Sequence, residues 1–192
     1  MKIVITGTGR CGTSFIMQLL TNVGLNTGYT KEEAQESVKR LSGLNAGIEH
    51  AVGDDKIEAA EYIKNPQWID IPGFQRLLQH HKVRKVLIPI RDLDATAKSR
   101  ELMHKQTHGG YGGFWMGADS VESQNIVNAL LLYRFIDYLA TNEIKFKCIS
   151  FSLMMKRPRY LYNKLGLGAT EVDYYLFENE YKKLISPQKI RF

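Results

Sequence analysis

A glycine-rich turn lies near the start of the chain, between a hydrophobic run and an apolar segment that fits a helix. The turn reads GTGRCGTS and occupies positions 7–14. The first turn of a helix presents unpaired backbone N–H groups and the positive end of the helix dipole, both of which favour an anion. We therefore predict that an anionic group binds here, with Arg10 supplying charge and Thr13 and Ser14 supplying hydroxyl donors.

The spacing Gly7-x-Gly9-x-x-Gly12 fits a dinucleotide-binding fingerprint. That fingerprint also requires a second strand that ends in Asp or Glu about 20 residues after the glycines. The segment at that place reads GLNTGYTKEE, which is a poor strand, and its acidic residues fit the start of a helix better. The dinucleotide interpretation is therefore disfavoured, although the glycines alone leave it open.

The same turn resembles a kinase-type phosphate loop in which Thr13 replaces the lysine that reaches the terminal phosphates. Such a site also needs an acidic residue beside a hydrophobic strand to organise Mg²⁺. The strand predicted over 85–90 is followed first by Arg91 and only then by Asp92. An arginine at this place favours an anion over a metal, which disfavours the kinase interpretation. A nucleotide or small-molecule kinase is kept as an alternative.

A third pattern links the turn to a later segment. The turn contains RCGTSF at positions 10–15, and in RDLDATAKSR the residue Ser99 lies eight positions after Arg91. These motifs resemble those of sulfotransferases that use 3'-phosphoadenosine 5'-phosphosulfate (PAPS). In that family the loop reads Lys/Arg-Ser-Gly-Thr-Thr/Ser, and a later Arg and Ser bind the 3'-phosphate. Fainter similarities in YIKNPQ and ISFSLMMKRPRYLYNKLGL extend the resemblance over most of the chain.

The resemblance implies that the protein binds PAPS without a metal and releases adenosine 3',5'-bisphosphate. Arg10 is expected to stabilise the leaving phosphate, and Lys64 to contact the sulfuryl group. Cys11 takes the place of the family's serine, and its position at a helix N-terminus predicts a lowered thiol pKa. The residues expected to bind the donor are Gly9, Arg10, Cys11, Gly12, Thr13, Ser14, Arg91 and Ser99.

The general base cannot be transferred by motif, because Asn65 and Pro66 stand where many relatives carry a histidine. The adjacent pair Glu49 and His50, in an irregular segment over 44–55, is the preferred catalytic candidate. The other candidates are Glu32 and Glu36. A protein that binds a nucleotide but has lost catalysis is a further alternative.

The acceptor is expected to be a small molecule or a carbohydrate with a hydroxyl or amine group. We expect it to enter from the segments 44–55 and 106–118. The second of these segments contains GGYGGFWMG, whose glycines and aromatic residues fit a lid.

The hydrophobic pattern around these motifs alternates strands and helices. Strands are predicted over 2–6, 61–64, 85–90 and 145–151. Helices are predicted over 13–23, from 30 to an end at Gly43, and over 55–60, 74–81, 92–105, 119–140, 158–165 and 170–184. This alternation predicts a single α/β domain over residues 1–192, with three α/β/α layers and a mostly parallel sheet. The resemblance implies an architecture like that of P-loop nucleoside triphosphate hydrolases.

The chain of 192 residues carries a net charge of +6, which suits an anionic ligand. Its basic residues are scattered, so we do not expect it to bind nucleic acid. Cys11 and Cys148 do not look like a disulfide pair, and the first strand follows Met1 too closely for a signal peptide. No apolar run is long enough to cross a membrane. These features predict a cytoplasmic protein, and they leave its oligomeric state open.

Overall fold

The computed structural model describes residues 1–40, 47–109, 112–168 and 170–185, without the side chains of 38–40. The described residues form a four-stranded sheet in which every neighbouring pair is parallel, with the order β2-β1-β3-β4. The strands are β1 (Lys2–Ile5), β2 (Tyr62–Lys64), β3 (Val83–Ile90) and β4 (Phe146–Ser150). The helices are α1 (Thr13–Asn22), α2 (Lys31–Arg40), α3 (Asp55–Ala59), α4 (Ile71–His80), α5 (Leu93–Gln106), α6 (Val121–Thr141), α7 (Phe151–Lys156), α8 (Pro158–Leu165) and α9 (Tyr174–Leu184).

Helices cover both faces of this sheet, and each face has its own hydrophobic core. On one face, Ile16 of α1 belongs to the same buried cluster as Leu161 of α8 and Phe177 of α9. On the other face, Phe74 of α4 and Phe135 of α6 pack in a second cluster, with their ring centroids 5.1 Å apart. The predicted α/β fold with a parallel sheet between helical layers is therefore confirmed.

Two helix starts differ from those predicted. Helix α4 begins at Ile71 rather than at 74, because Pro72 is tolerated in a first turn where its missing N–H has no intrahelical partner. Helix α6 is capped by Ser120 rather than by Asp119, since the Ser120 and Ser123 side chains and backbones form a reciprocal capping box.

Near the end of the chain, the sequence does not predict α7. There the Ser150 side chain accepts from the Leu153 N–H and starts a helix where the strand was expected to continue. Helix α9 begins at Tyr174 rather than at 170, and Asp173 caps it. The predicted helix end at Gly43 lies outside the described residues.

The strand order brings the two sequence motifs to the same end of the sheet. Strand β1 lies between β2 and β3, so the chain leaves β1 toward one side and later returns to its other side. The carboxyl ends of the strands at such a switch point are the usual ligand-binding place in α/β sheets. The glycine turn follows β1, and Arg91 follows β3 directly. Within the described parts of the chain, none of the helices has the length and apolar character needed to cross a bilayer.

Candidate functional site

The turn after β1 adopts a backbone conformation that suits an anion. Gly9, Arg10 and Gly12 all have positive φ angles, of 70°, 54° and 92°. Gly12 is the N-cap of α1, and its first turn has no side-chain cap. Successive N–H groups in such left-handed turns form a concave anion-binding surface, to which the helix dipole adds. The φ of 92° at Gly12 is a conformation that L side chains rarely adopt, so this position favours glycine.

Three predicted donor-binding residues meet beside this turn. Arg10 Nε donates a hydrogen bond to Ser99 Oγ at 3.2 Å, across 89 positions of sequence. Arg91 Nη1 donates to the Arg10 carbonyl oxygen at 3.1 Å, and its guanidinium lies 4.9 Å from the centre of the Phe151 ring. The fold thus places two guanidinium groups and a hydroxyl next to the glycine turn.

Lys64 lies at the end of β2 and is fully buried. Its ammonium donates to Ser14 Oγ at 2.9 Å, to the Gly47 carbonyl at 2.7 Å and to Glu49 Oε1 at 2.6 Å. An ammonium has three donors, and these contacts use all of them. Because Ser14 Oγ accepts from Lys64, its own proton is available to an acceptor in the turn. Burial lowers the pKa of Lys64, and the adjacent Glu49 carboxylate opposes this shift.

Glu49 and His50 are neighbours in sequence with different environments. The Glu49 side chain is 26% exposed while it pairs with Lys64, so its carboxylate lies between the buried ammonium and solvent. The His50 ring is buried, accepts from the Lys64 backbone N–H at Nδ1 (3.1 Å) and contacts the Thr27 carbonyl through Nε2 (2.9 Å). Since Nδ1 accepts, Nε2 carries the proton and the ring is neutral. Burial lowers the pKa of His50, which favours the same state.

The remaining candidate bases, Glu32 and Glu36, lie on α2 with exposed side chains. Neither is among the residues that bond to Lys64 at the turn. Of the four candidates, Glu49 is therefore the carboxylate with direct contact to this part of the site.

Cys11 lies beneath the turn. Its side chain is fully buried, and a Cβ atom on Gly7 would come within 2.7 Å of its sulfur. Burial raises the pKa of the Cys11 thiol, so the predicted lowering is wrong. At this position, the desolvation of a thiolate outweighs the favourable effect of the nearby positive charges.

A cleft of about 570 Å³ opens beside the end of β2. Both segments predicted to admit the acceptor contribute to it, since Ala51 lines one part and Trp115 another. Asn65, directly after Lys64 in the chain, also lines the cleft. The sequence does not predict the contribution of the segment leading into α4, which adds Trp68 and Asp70 to the lining.

One further charged residue at this place is not predicted from the sequence. Arg100 is only 5% exposed and donates hydrogen bonds to the carbonyls of Thr8 and Gly113. In the sequence, only its position directly after Ser99 points to a place in the site, and this indication is weak because an arginine on a helix is usually exposed. Among the described residues, no group of three or more His, Cys, Asp or Glu side chains could hold a metal ion.

No protein-family model matches the chain, and no curated protein is significantly similar to it in sequence. A solved structure with a similar fold is a sulfotransferase domain from the curacin biosynthetic pathway. The two are 15% identical and superpose with a TM-score of 0.57, over 98% of this chain and 78% of that domain. At this level of identity, the similarity establishes the fold. The chain therefore has a sulfotransferase-like α/β fold.

Proposed function

We propose that this protein is a sulfotransferase that moves a sulfuryl group from PAPS to a hydroxyl or amine of an acceptor bound in the cleft. The observation that carries this proposal is the meeting of Arg10, Arg91 and Ser99 beside the glycine turn. A phosphate on the ribose 3'-oxygen gives Arg91 and Ser99 a ligand that ATP and NAD lack. The sulfotransferase-like fold supports the same conclusion.

The residues of the turn fit the phosphosulfate end of this donor. The backbone of Gly9 and Gly12 and the hydroxyls of Thr13 and Ser14 would hold the 5'-phosphate, and Arg91 and Ser99 the 3'-phosphate. When bound, PAPS supplies the activated sulfuryl group. Arg10 would stabilise the negative charge that develops on the leaving phosphate, as a preorganised charged donor does in other transfer reactions.

We assign proton removal from the acceptor to Glu49. Its carboxylate is held 2.6 Å from Lys64 Nζ, and the chain reaches the wall of the cleft two residues later, at Ala51. Lys64 positions this carboxylate and also directs the Ser14 hydroxyl toward the turn. His50 is a positioning residue, because its ring binds backbone groups on both sides and holds the Lys64 N–H.

The rival interpretations differ in the role of acidic residues. A carboxylate beside the turn favours an enzyme over a protein that only binds a nucleotide. For a kinase, Asp92 would have to organise Mg²⁺, but its Oδ1 accepts from the Ala95 N–H at 2.8 Å and caps α5. Capping of α5 therefore accounts for the presence of Asp92 without a metal-binding role.

Calorimetric titration with adenosine 3',5'-bisphosphate, 5'-AMP, NAD and Mg-ATP tests the proposal. Contacts between charged groups and a phosphate are worth about 1.5–3 kcal/mol each. Two of them predict that the bisphosphate binds about 10²–10⁴ times more tightly than 5'-AMP, without Mg²⁺. Arg91→Ala should remove most of this difference while leaving 5'-AMP binding nearly unchanged.

Arg84→Ala is the matched control. Arg84 lies on β3, the strand that Arg91 follows, but its side chain pairs with Glu61 at the surface. This variant should discriminate between the two nucleotides as the wild type does. Equal affinity for the bisphosphate and 5'-AMP, or tighter binding of Mg-ATP or NAD, would overturn the sulfotransferase proposal.

A further inference from the structure

A buried arginine lies between the glycine turn and the aromatic wall of the cleft. Arg100 Nη2 donates to the Thr8 carbonyl at 2.6 Å, and its Nη1 donates to the Gly113 carbonyl at 2.7 Å. A guanidinium holds its donors in one rigid plane. The position of the turn and that of the segment around Gly113 are therefore fixed relative to each other by one side chain.

On the side of the turn, the guanidinium lies directly against the backbone. Gly9 has a φ of 70°, which favours glycine, and a Cβ atom there would displace Arg100 Nη2 from its place against the backbone. Thr8 is 5% exposed, and its carbonyl oxygen receives a charge-assisted hydrogen bond from Arg100. The backbone that leads into the anion-binding turn thus lies on Arg100.

On the side of the cleft, the same guanidinium stacks on an indole. The centre of the Arg100 guanidinium lies 4.4 Å from the centroid of the Trp115 ring. Such cation–π contacts are stronger when the cation is desolvated, as it is here. The Trp115 backbone N–H donates to Oε1 of the fully buried Gln124 at 2.6 Å. Trp115, which lines the cleft, is thus held by α5 through Arg100 and by α6 through Gln124.

We propose that Arg100 is a positioning residue that couples the nucleotide-binding turn to the acceptor cleft. This inference rests on the proposed function, because it takes the turn as the donor site and the cleft as the acceptor site. An anion that orders the turn also fixes the Thr8 carbonyl, and through Arg100 it fixes Trp115. By linkage, a ligand that fixes Trp115 tightens nucleotide binding by the same factor, typically about 5-fold to 150-fold.

Amide hydrogen exchange over residues 112–118, with and without adenosine 3',5'-bisphosphate, tests the coupling. In the wild type, the nucleotide should slow this exchange by roughly fivefold or more. Arg100→Lys keeps the charge but cannot bridge two carbonyls while stacking on Trp115. It should still bind the nucleotide but lose the slowing. Arg134→Lys, an exposed site on α6, is the control and should behave as the wild type.

If the role of Arg100 were purely structural, Arg100→Lys would have a lower melting temperature, but the nucleotide would still slow amide exchange over residues 112–118. If Arg100→Lys does not fold, Trp115→Leu provides the second test. It should weaken nucleotide binding severalfold, although Trp115 is not part of the turn. Tyr133→Leu, which changes an aromatic residue that is 69% exposed, should leave nucleotide binding unchanged.

The outcomes separate the coupling from the proposed function. If the wild type binds the bisphosphate but Arg100→Lys retains the slowing over 112–118, the coupling is overturned and the proposed function stands. Unchanged nucleotide affinity in Trp115→Leu would also overturn the coupling. If the wild type does not bind the bisphosphate, the proposed function fails and this inference fails with it.

Discussion

At the residue scale, Lys64 joins the proposed base to the glycine turn. Glu49→Gln keeps a side-chain oxygen for the Lys64 ammonium but removes the basic carboxylate. Removing a general base costs about 10²–10⁴ in rate. We therefore expect single-turnover transfer from PAPS, to an acceptor found by screening, to slow by this factor while the affinity for adenosine 3',5'-bisphosphate changes little.

Glu122→Gln is the matched control, because it makes the same chemical change at an exposed position on α6. Thermal unfolding of both variants separates a loss of folding from a loss of chemistry. This is necessary because Lys64 loses its ionised partner in Glu49→Gln. A transfer rate near that of the wild type would remove Glu49 from the mechanism.

A local pattern of glycine, hydroxyl and cation is enough to single out the turn after β1 from the sequence, and the structure places this turn at the start of α1. Its role in phosphate binding stays a prediction. The sequence does not predict which of two neighbouring residues, Glu49 or His50, can exchange a proton with solvent. That difference arises from contacts of Lys64 and Thr27 with the His50 ring, which the fold brings together. The bridge made by Arg100 is likewise tertiary, since its two carbonyl partners lie in separate loops.

At the scale of elements, hydrophobic periodicity predicts all four described strands and most helices, because both faces of the sheet are buried. Helix starts are less predictable, since they depend on which polar side chain reaches a backbone N–H. The side chains that accept from a first-turn N–H and cap α5, α6, α7 and α9 are those of Asp92, Ser120, Ser150 and Asp173. Helix α7 is missed because its short sequence reads equally well as the end of β4.

The cap of α6 gives a prediction at this scale. Ser120→Ala should lower the free energy of unfolding by about 1 kcal/mol, because it removes the Ser120 Oγ that accepts from the Ser123 N–H. Asp119→Ala should cost less, since Asp119 only accepts from the Ser123 hydroxyl at 3.0 Å. Urea unfolding monitored by circular dichroism measures both. A larger loss for Asp119→Ala would contradict the assignment of Ser120 as the cap.

At the scale of the whole molecule, two buried histidines link stability to pH. Burial lowers the pKa of His50 and of His81 below their ordinary value of 6.5. As the pH falls below about 6.5, the unfolded chain therefore takes up protons that the folded chain does not. The stability that the neutral rings contribute is fully present above this pH and decreases as the pH falls toward the lower pKa values of the folded state.

We expect the free energy of unfolding to decrease between pH 7.5 and 5.5, by up to about 1.4 kcal/mol per pH unit for each histidine. His50→Gln should flatten this dependence, because glutamine can donate to the Thr27 carbonyl and accept from the Lys64 N–H without titrating. His80→Gln, at an exposed position, should keep the wild-type slope. Urea unfolding at several pH values measures all three proteins. An unchanged slope in His50→Gln would show that the pKa of His50 is the same in the folded and the unfolded chain, and it would contradict the assignment of a lowered pKa to the buried ring.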